Sequence, residues 1–150
     1  WYEPFPLYED DPGAVKLPLS ELDAQSFNAL QLAFIGDAVY SLLTRLKSLD
    51  EGTGVKGMHL SATSRVNASA QAETLAAISD LLTQDEQGIV RRGRNAHPKH
   101  HAPRSASTAD YSASTGFEAL IGYLYLTGRA DRIEALIGLR FPPHAESSAG

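Results

Sequence analysis

The sequence predicts an all-α fold, and two observations carry this prediction. Apolar residues recur at spacings of three and four over several long stretches, which is the period of helices that bury one face. No stretch alternates apolar and polar residues for more than about four positions, as a half-buried strand would, and no internal repeat occurs. The length of 150 residues and the hydrophobic share of 43% suit a single helical domain with its own core.

The N-terminal part of the chain divides into an arm and a long helix. Residues 1–25 contain four of the eight prolines and six acids, a composition that predicts an extended arm. Residues 26–47 then carry apolar side chains at helical spacing with no proline, which predicts one long helix. The sequence DEGTG at 50–54 should interrupt the chain after it.

Three helices are predicted in the middle of the chain. Residues 56–66 form a short one, and the Ala-rich residues 68–82 form a longer one with leucine and isoleucine on one side. Thr83 and Glu86 have the spacing of a capping box, in which each side chain binds a free amide at a helix start. A further helix is therefore expected to run from this box to about Arg92.

The C-terminal third begins with a predicted loop. Residues 93–115 contain glycines, prolines and many hydroxyl side chains but show no periodicity, so we expect a long loop of the kind that often carries function. Residues 114–127 form the most apolar helix, which a glycine should end, and residues 130–139 form the last helix. Residues 140–150 are expected to be a flexible tail, so the folded domain would span residues 26–139.

Composition excludes several classes of protein. The chain has no cysteine, which excludes thiol nucleophiles, cysteine zinc sites and disulfides. It has no G-x-S-x-G motif, the elbow that carries the nucleophile of many serine hydrolases. Its longest uncharged apolar stretch, residues 119–127, is far shorter than the roughly 18 residues that a membrane-spanning helix needs. We therefore expect no membrane as a partner.

Basic residues are concentrated in the middle of the chain. The net charge is −5, yet residues 53–104 hold seven of the thirteen lysines and arginines and only four acids. Arginine and lysine in a polar segment suit contacts to a sugar-phosphate backbone, although bases at a helix C-terminus also interact favourably with the helix dipole. The residues expected to contact such a polyanion are Arg65, Arg92, Arg94, Asn95 and Lys99. The spacing of His97, His100 and His101 is weak evidence for zinc, and a solvated basic loop explains it better.

Two acids interrupt the most hydrophobic stretches. Asp37 lies in LAFIGDAVYSLL and Glu118 in GFEALIGYLYL, and no lysine or arginine lies within a helical turn of either. A carboxylate in apolar surroundings is costly unless it is paired, hydrogen-bonded, protonated or bound to a cation. Either acid alone could lie on a narrow polar stripe of its helix. Together they predict that the two helices are neighbours and that Asp37 and Glu118 bind one Mg²⁺, which proteins hold through one or two carboxylates plus water.

The first long helix also bears on assembly. Its apolar residues fall on more than one face, so a single core-facing stripe cannot bury them all. A surplus apolar face most often marks a partner surface, although a helix buried on all sides within its own subunit would show the same pattern. The residues concerned are Leu30, Leu32, Phe34, Ile35, Val39, Tyr40, Leu42 and Leu43.

Three motifs, in this order, resemble a known family. They are LQLAFIGDAVYSLL at 30–43, RRGRNA at 91–96 and TGFEALIGYLYLTG at 115–128. The sequence resembles the ribonuclease III catalytic domain over residues 26–139, and in particular the short Mini-ribonuclease III branch, which lacks a separate double-stranded-RNA-binding domain.

This resemblance implies a helical-bundle endoribonuclease that uses Mg²⁺ and acts as a homodimer on double-stranded RNA. In the family's signature, Asp37 and Glu118 fall on catalytic, metal-binding acids, whereas two further acids of the larger enzymes are replaced by Ala33 and Thr115. The products would carry 5′-phosphate and 3′-hydroxyl ends. The short branch further implies maturation of precursor large-subunit (23S) ribosomal RNA in the cytoplasm or the plastid stroma, with a ribosomal protein as a candidate partner.

Two other functions are open at this point. A non-catalytic RNA-binding protein of the same fold, acting in ribosome assembly, would keep the basic segment but would have no need of both acids. A helical protein-interaction domain would explain the amphipathic helices but would leave the basic segment and the two embedded acids without a cause.

Overall fold

The computed structural model describes residues 15–50, 54–57, 67–96 and 107–143. Within these ranges the chain folds into helices and contains no strand, which confirms the predicted all-α class. Residues 55–57 are helical, while the rest of the helix predicted over residues 56–66 lies outside the described ranges. So do the first 14 residues and the tail beyond residue 143.

The first helix, α1 (Glu21–Gln25), corrects the prediction of an extended arm over residues 1–25. The Ser20 hydroxyl accepts a hydrogen bond from the Asp23 amide and caps the helix, and Ala24 is fully buried. A cap and a buried methyl group fix one turn that the proline-rich composition does not indicate. The segment before it is also attached to the domain, because the Leu19 amide donates to the carbonyl oxygen of Leu126.

The long helix α2 (Ala29–Asp50) begins and ends three residues later than predicted. Asn28 and Gln31 determine its start. The Asn28 side chain accepts from the Gln31 amide, and the Gln31 side chain accepts from the Asn28 amide. This reciprocal pair is a capping box built from amide side chains, and it prevents the helix from starting at residue 26.

Helices α3 (Ala68–Ile78) and α4 (Gln84–Asn95) are joined by the 3₁₀ turn Ser79–Leu81. The helix predicted over residues 68–82 therefore tightens in its last turn. The predicted capping box is confirmed, since the Thr83 and Glu86 side chains each accept from the other's backbone amide.

Helix α5 (Thr108–Leu126) starts well before residue 114, so the loop predicted over residues 93–115 is too long at both ends. At its far end, the Ser107 hydroxyl caps α5 by accepting from the Asp110 amide. At its near end, α4 continues to Asn95. The last helix, α6 (Ala130–Ile137), ends at Gly138, whose φ of +72° is the left-handed conformation of a helix C-cap.

The core is organised around α5. Twelve of its 19 residues are buried, and α2, α3 and α4 pack against it. Between residues 113 and 124, Glu118 is the single position of α5 that is not buried. The Glu86 carboxylate at the start of α4 accepts two hydrogen bonds from Arg132 of α6, at 2.8 and 3.0 Å, which attaches α6 to the same core. The carboxylate of Glu118, on the most central helix, therefore lies at the edge of the core.

Candidate active site

The two acids singled out from the sequence lie at a close crossing of α2 and α5. A Cβ atom on Gly36 would overlap the carbonyl oxygen of Glu118, and one on Gly122 would overlap the carbonyl oxygen of Leu32. Only glycine permits two backbones to approach this closely. Since Asp37 directly follows Gly36, the crossing places Asp37 beside Glu118. The predicted adjacency of the two helices is therefore confirmed.

The two carboxylates also interact electrostatically. Burial, together with the nearby negative charge of Asp37, raises the pKa of Glu118 from its ordinary value to about 7. Among the described residues, no lysine or arginine forms an ion pair with either acid. Two acids that face each other without a basic partner lack a countercharge, and a hard divalent cation would supply one. The residues present therefore fit Mg²⁺.

No further carboxylate or imidazole joins this pair within the described part of the chain. Ala33 and Thr115, where the resemblance implies further acids in the larger enzymes, supply no carboxylate. Ala33 is buried, and the buried Thr115 hydroxyl donates to the carbonyl oxygen of Tyr111 in its own helix. Neither residue offers a carboxylate to a cation.

Gln71 is a polar neighbour of the site that the sequence analysis missed. It lies on α3, which packs against α5, and its amide group lowers the pKa of Glu118, opposing the effect of burial. Its side chain is 1% exposed. The available signal was its spacing, because Gln71 precedes Leu75 by four residues and Ile78 by seven on the apolar face of the helix.

The basic residues at the end of α4 have two different surroundings. Arg92 donates from its guanidinium to the carbonyl oxygens of Phe27 and Gln25, at 2.7 and 3.4 Å, and so ties α4 to the end of α1 and the connection that leads to α2. Arg94 is exposed, and its Cγ lies against Gly116, two residues before Glu118. Asn95 is also exposed. The other predicted RNA contacts, Arg65 and Lys99, and the predicted loop histidines are outside the described ranges.

A comparison with protein families identifies the domain. The sequence model of the Ribonuclease III domain matches residues 30–129, a range that includes both acids, Gln71 and the basic end of α4. This chain belongs to the ribonuclease III domain family. The helical architecture is therefore that of a ribonuclease III domain.

Proteins named Mini-ribonuclease 3 are similar to this ribonuclease III domain over most of their length. The one from Symbiobacterium thermophilum is 49% identical over 109 residues, which cover 72% of this chain and 83% of the relative. The one from Streptococcus pneumoniae is 40% identical over 119 residues, which cover 77% of this chain and 92% of the relative. Among solved structures, protein FN1578 from Fusobacterium nucleatum superposes with a TM-score of 0.70 at 29% identity, covering 77% of this chain and 93% of FN1578.

The family and these relatives show that the chain is an endoribonuclease of the ribonuclease III type. The interpretation as a non-catalytic protein of the same fold is not supported. No helix within the described ranges is both long and apolar enough to cross a membrane.

Proposed function

We propose that this endoribonuclease hydrolyses double-stranded RNA with Mg²⁺ bound between Asp37 and Glu118. The observation that carries the proposal is the pairing of two carboxylates at the α2 and α5 crossing of a ribonuclease III domain, with no basic partner among the described residues. A bound Mg²⁺ polarises a phosphoryl oxygen and lowers the pKa of water, which is the chemistry needed to cut a phosphodiester at neutral pH.

The roles of the two acids follow from their surroundings. Asp37 is exposed on α2, so its carboxylate is accessible to a cation and to a substrate. Glu118 is half-buried on α5 and is held by the most rigidly packed helix of the domain. Because burial disfavours its ionised form, Glu118 gains most when a cation neutralises the pair. Attack of water on the phosphorus opposite the 3′ oxygen would break the P–O3′ bond and leave 5′-phosphate and 3′-hydroxyl ends.

Recognition of RNA is assigned to the basic end of α4 and the segment after it. Arg94 and Asn95 lie on the surface next to the part of α5 that leads to Glu118, so phosphates bound there would lie near the cation. Arg65 and Lys99 complete the set of residues proposed to bind RNA. Arg92 also belongs to this set, although its guanidinium already donates to two carbonyl oxygens. A-form RNA presents phosphates and 2′-hydroxyls rather than a readable major groove, so the duplex is recognised mainly by shape.

The proposed substrate is precursor large-subunit (23S) ribosomal RNA, with Mg²⁺ as cofactor, the cytoplasm or plastid stroma as compartment and a ribosomal protein as helper. Support comes from the Mini-ribonuclease 3 relatives, because the similarity to this chain covers more than two thirds of the length of each. A duplex region of this precursor is therefore the substrate to test first.

A homodimer is the proposed assembly. Of the apolar residues that the sequence places on α2, Leu32, Val39, Tyr40 and Leu43 are buried, while Phe34 is 79% exposed and Leu42 is 51% exposed. Beside Phe34 lies an apolar cavity of about 430 Å³, lined in part by Phe27, Leu30 and Ile35. Because the exposed ring and the cavity share one face, a two-fold axis can place each Phe34 against the partner's cavity. Two sites at fixed spacing would then meet the two strands of a duplex.

The activity is tested with a long RNA duplex and purified protein. We expect cleavage with Mg²⁺, none with EDTA, and a loss of at least about 100-fold in Asp37→Asn and in Glu118→Gln, because each removes a charge from the cation site. Duplex binding by both variants should stay close to wild type. Glu73→Gln changes an exposed carboxylate on α3 and is the matched control, which should cut at the wild-type rate. Cleavage by both site variants at near wild-type rates would remove the proposed site.

A further inference from the structure

Gln71 is a buried amide beside Glu118 that forms no hydrogen bond within the described part of the chain. Its side chain is 1% exposed, and neither Nε2 nor Oε1 forms a hydrogen bond with any residue that the structure describes. Leaving a buried polar atom unpaired destabilises the folded state, and this side chain leaves two such atoms unpaired. The presence of such a side chain on the apolar face of α3 would be explained by a bound molecule that pairs with the amide, or by a function of the amide.

Other buried polar side chains of the domain are satisfied. The Thr44 and Ser48 hydroxyls donate to carbonyl oxygens of their own helix, and the Glu86 carboxylate is bound by Arg132 and the Thr83 amide. Their presence needs no explanation beyond packing. Gln71 differs from them because its amide faces the active-site helix and finds no such bond there.

Among the described residues, the Glu118 carboxylate lacks a hydrogen-bond donor that this amide could supply. From its own helix Glu118 receives no help, since the nearby Thr115 hydroxyl is occupied by the Tyr111 carbonyl oxygen. Asp37, on the other side, offers only negative charge. A neutral amide can donate to a carboxylate through its nitrogen and accept from water through its oxygen.

We propose that Gln71 is a positioning residue of the Asp37 and Glu118 site, where its Nε2–H donates to the Glu118 carboxylate and its Oε1 accepts from a water molecule of the site. This inference rests on the proposed function, because both hydrogen bonds form fully when Glu118 is ionised against a cation. The amide then fixes the carboxylate orientation, as groups behind a metal ligand commonly do.

The test measures cation affinity and stability in the same variants, without RNA. Gln71→Met keeps the length and volume of the side chain and removes both polar atoms. Binding of Mn²⁺, followed by the loss of the free-ion signal in electron paramagnetic resonance, should weaken about 10-fold. Thermal unfolding in EDTA should move the other way, with a melting temperature about 2–4 °C higher, because an unpaired buried amide has been replaced by an apolar group.

Two further variants complete the design. Gln84→Met alters an exposed glutamine at the start of α4 and should leave both measurements unchanged. In a Glu118→Gln background, Gln71→Met should have no further effect on Mn²⁺ affinity, because the amide acts through Glu118.

Each other outcome overturns the inference in a distinguishable way. Unchanged Mn²⁺ affinity in Gln71→Met, with wild-type binding that depends on Glu118, removes the role of Gln71 and leaves the proposed function standing. A lower melting temperature in EDTA, or failure of the variant to fold, shows that the amide serves the fold instead. Wild-type Mn²⁺ binding that does not depend on Glu118 rejects both the inference and the metal site on which it rests.

Discussion

The chemistry of a single residue, Glu118, gives the site a measurable pH dependence. Its pKa of about 7 in the folded chain lies above its ordinary value in an unfolded chain, because of burial and of Asp37. Between these two pKa values the folded state holds a proton that the unfolded state has released, so the stability contributed by this group falls as pH rises. In EDTA, Glu118→Gln should match wild type near about pH 4, below both pKa values, and be more stable by up to about 3 kcal/mol near about pH 8.

Urea denaturation of both proteins across this pH range measures the effect. The control is Glu73→Gln, whose exposed carboxylate lies outside the site and whose profile should follow that of wild type. Parallel profiles for wild type and Glu118→Gln would show that the two acids are not coupled in solution.

At the residue scale, Arg94 and Arg92 are expected to contribute differently to RNA binding. Arg94→Gln should weaken binding to every duplex sequence and flatten the dependence of log K on log salt by about one unit, because one phosphate contact is lost. Arg92→Gln should change RNA affinity less and stability more, since the Arg92 guanidinium donates to the Phe27 and Gln25 carbonyl oxygens. Filter binding over a salt series checks both, with the exposed Lys47→Gln on α2 as control. An unchanged slope in Arg94→Gln would remove Arg94 from the interface.

At the scale of elements, the crossing of α2 with α5 is the feature that assembles the site. Gly36→Ala places a methyl group where the Glu118 carbonyl oxygen lies, so the helices must separate. We expect a loss of about 3 kcal/mol or more in unfolding free energy, and weaker cation binding because Asp37 and Glu118 move apart. Chemical denaturation and Mn²⁺ titration measure the two effects.

The matched control lies on α4. A Cβ atom on Gly88 would meet nothing within 4 Å, so Gly88→Ala should gain about 0.5–1 kcal/mol from helix propensity alone. If Gly36→Ala were as stable as wild type, the close approach of the two backbones would not be a requirement of the fold.

At the scale of the whole molecule, the exposed face of α2 predicts association. A ring that is 79% exposed beside an apolar cavity is unfavourable for a monomer in water, and a second copy would cover both. Sedimentation equilibrium at micromolar concentration should give twice the chain mass of 16.1 kDa, and Phe34→Asp should shift the protein to the monomer.

The control for this experiment is Leu81→Asp, at an exposed leucine outside this face, which should leave the dimer intact. A monomer in the wild-type protein would contradict both the dimer and cleavage of the two strands by paired sites.

Local signals in the sequence were sufficient for much of the fold. Thr83 and Glu86 predicted the start of α4 because a capping box depends only on residues three apart. The start of α5 was missed because Ser107 lies in a segment of many hydroxyl residues, any of which could be a cap. The turn of α1 was missed because its stability comes from contact of Ala24 with the core, which composition does not show.

The sequence by itself determined the helical class and singled out the two acids of the proposed site, since a charge in an apolar helical stretch is visible without coordinates. The tertiary structure alone decided what surrounds them. In the folded chain, Gln71 of α3 lies beside Glu118. The Arg92 guanidinium donates to carbonyl oxygens that precede α2. These relations join residues far apart in the chain, and they depend on how helices cross and what each crossing buries, which no local spacing encodes.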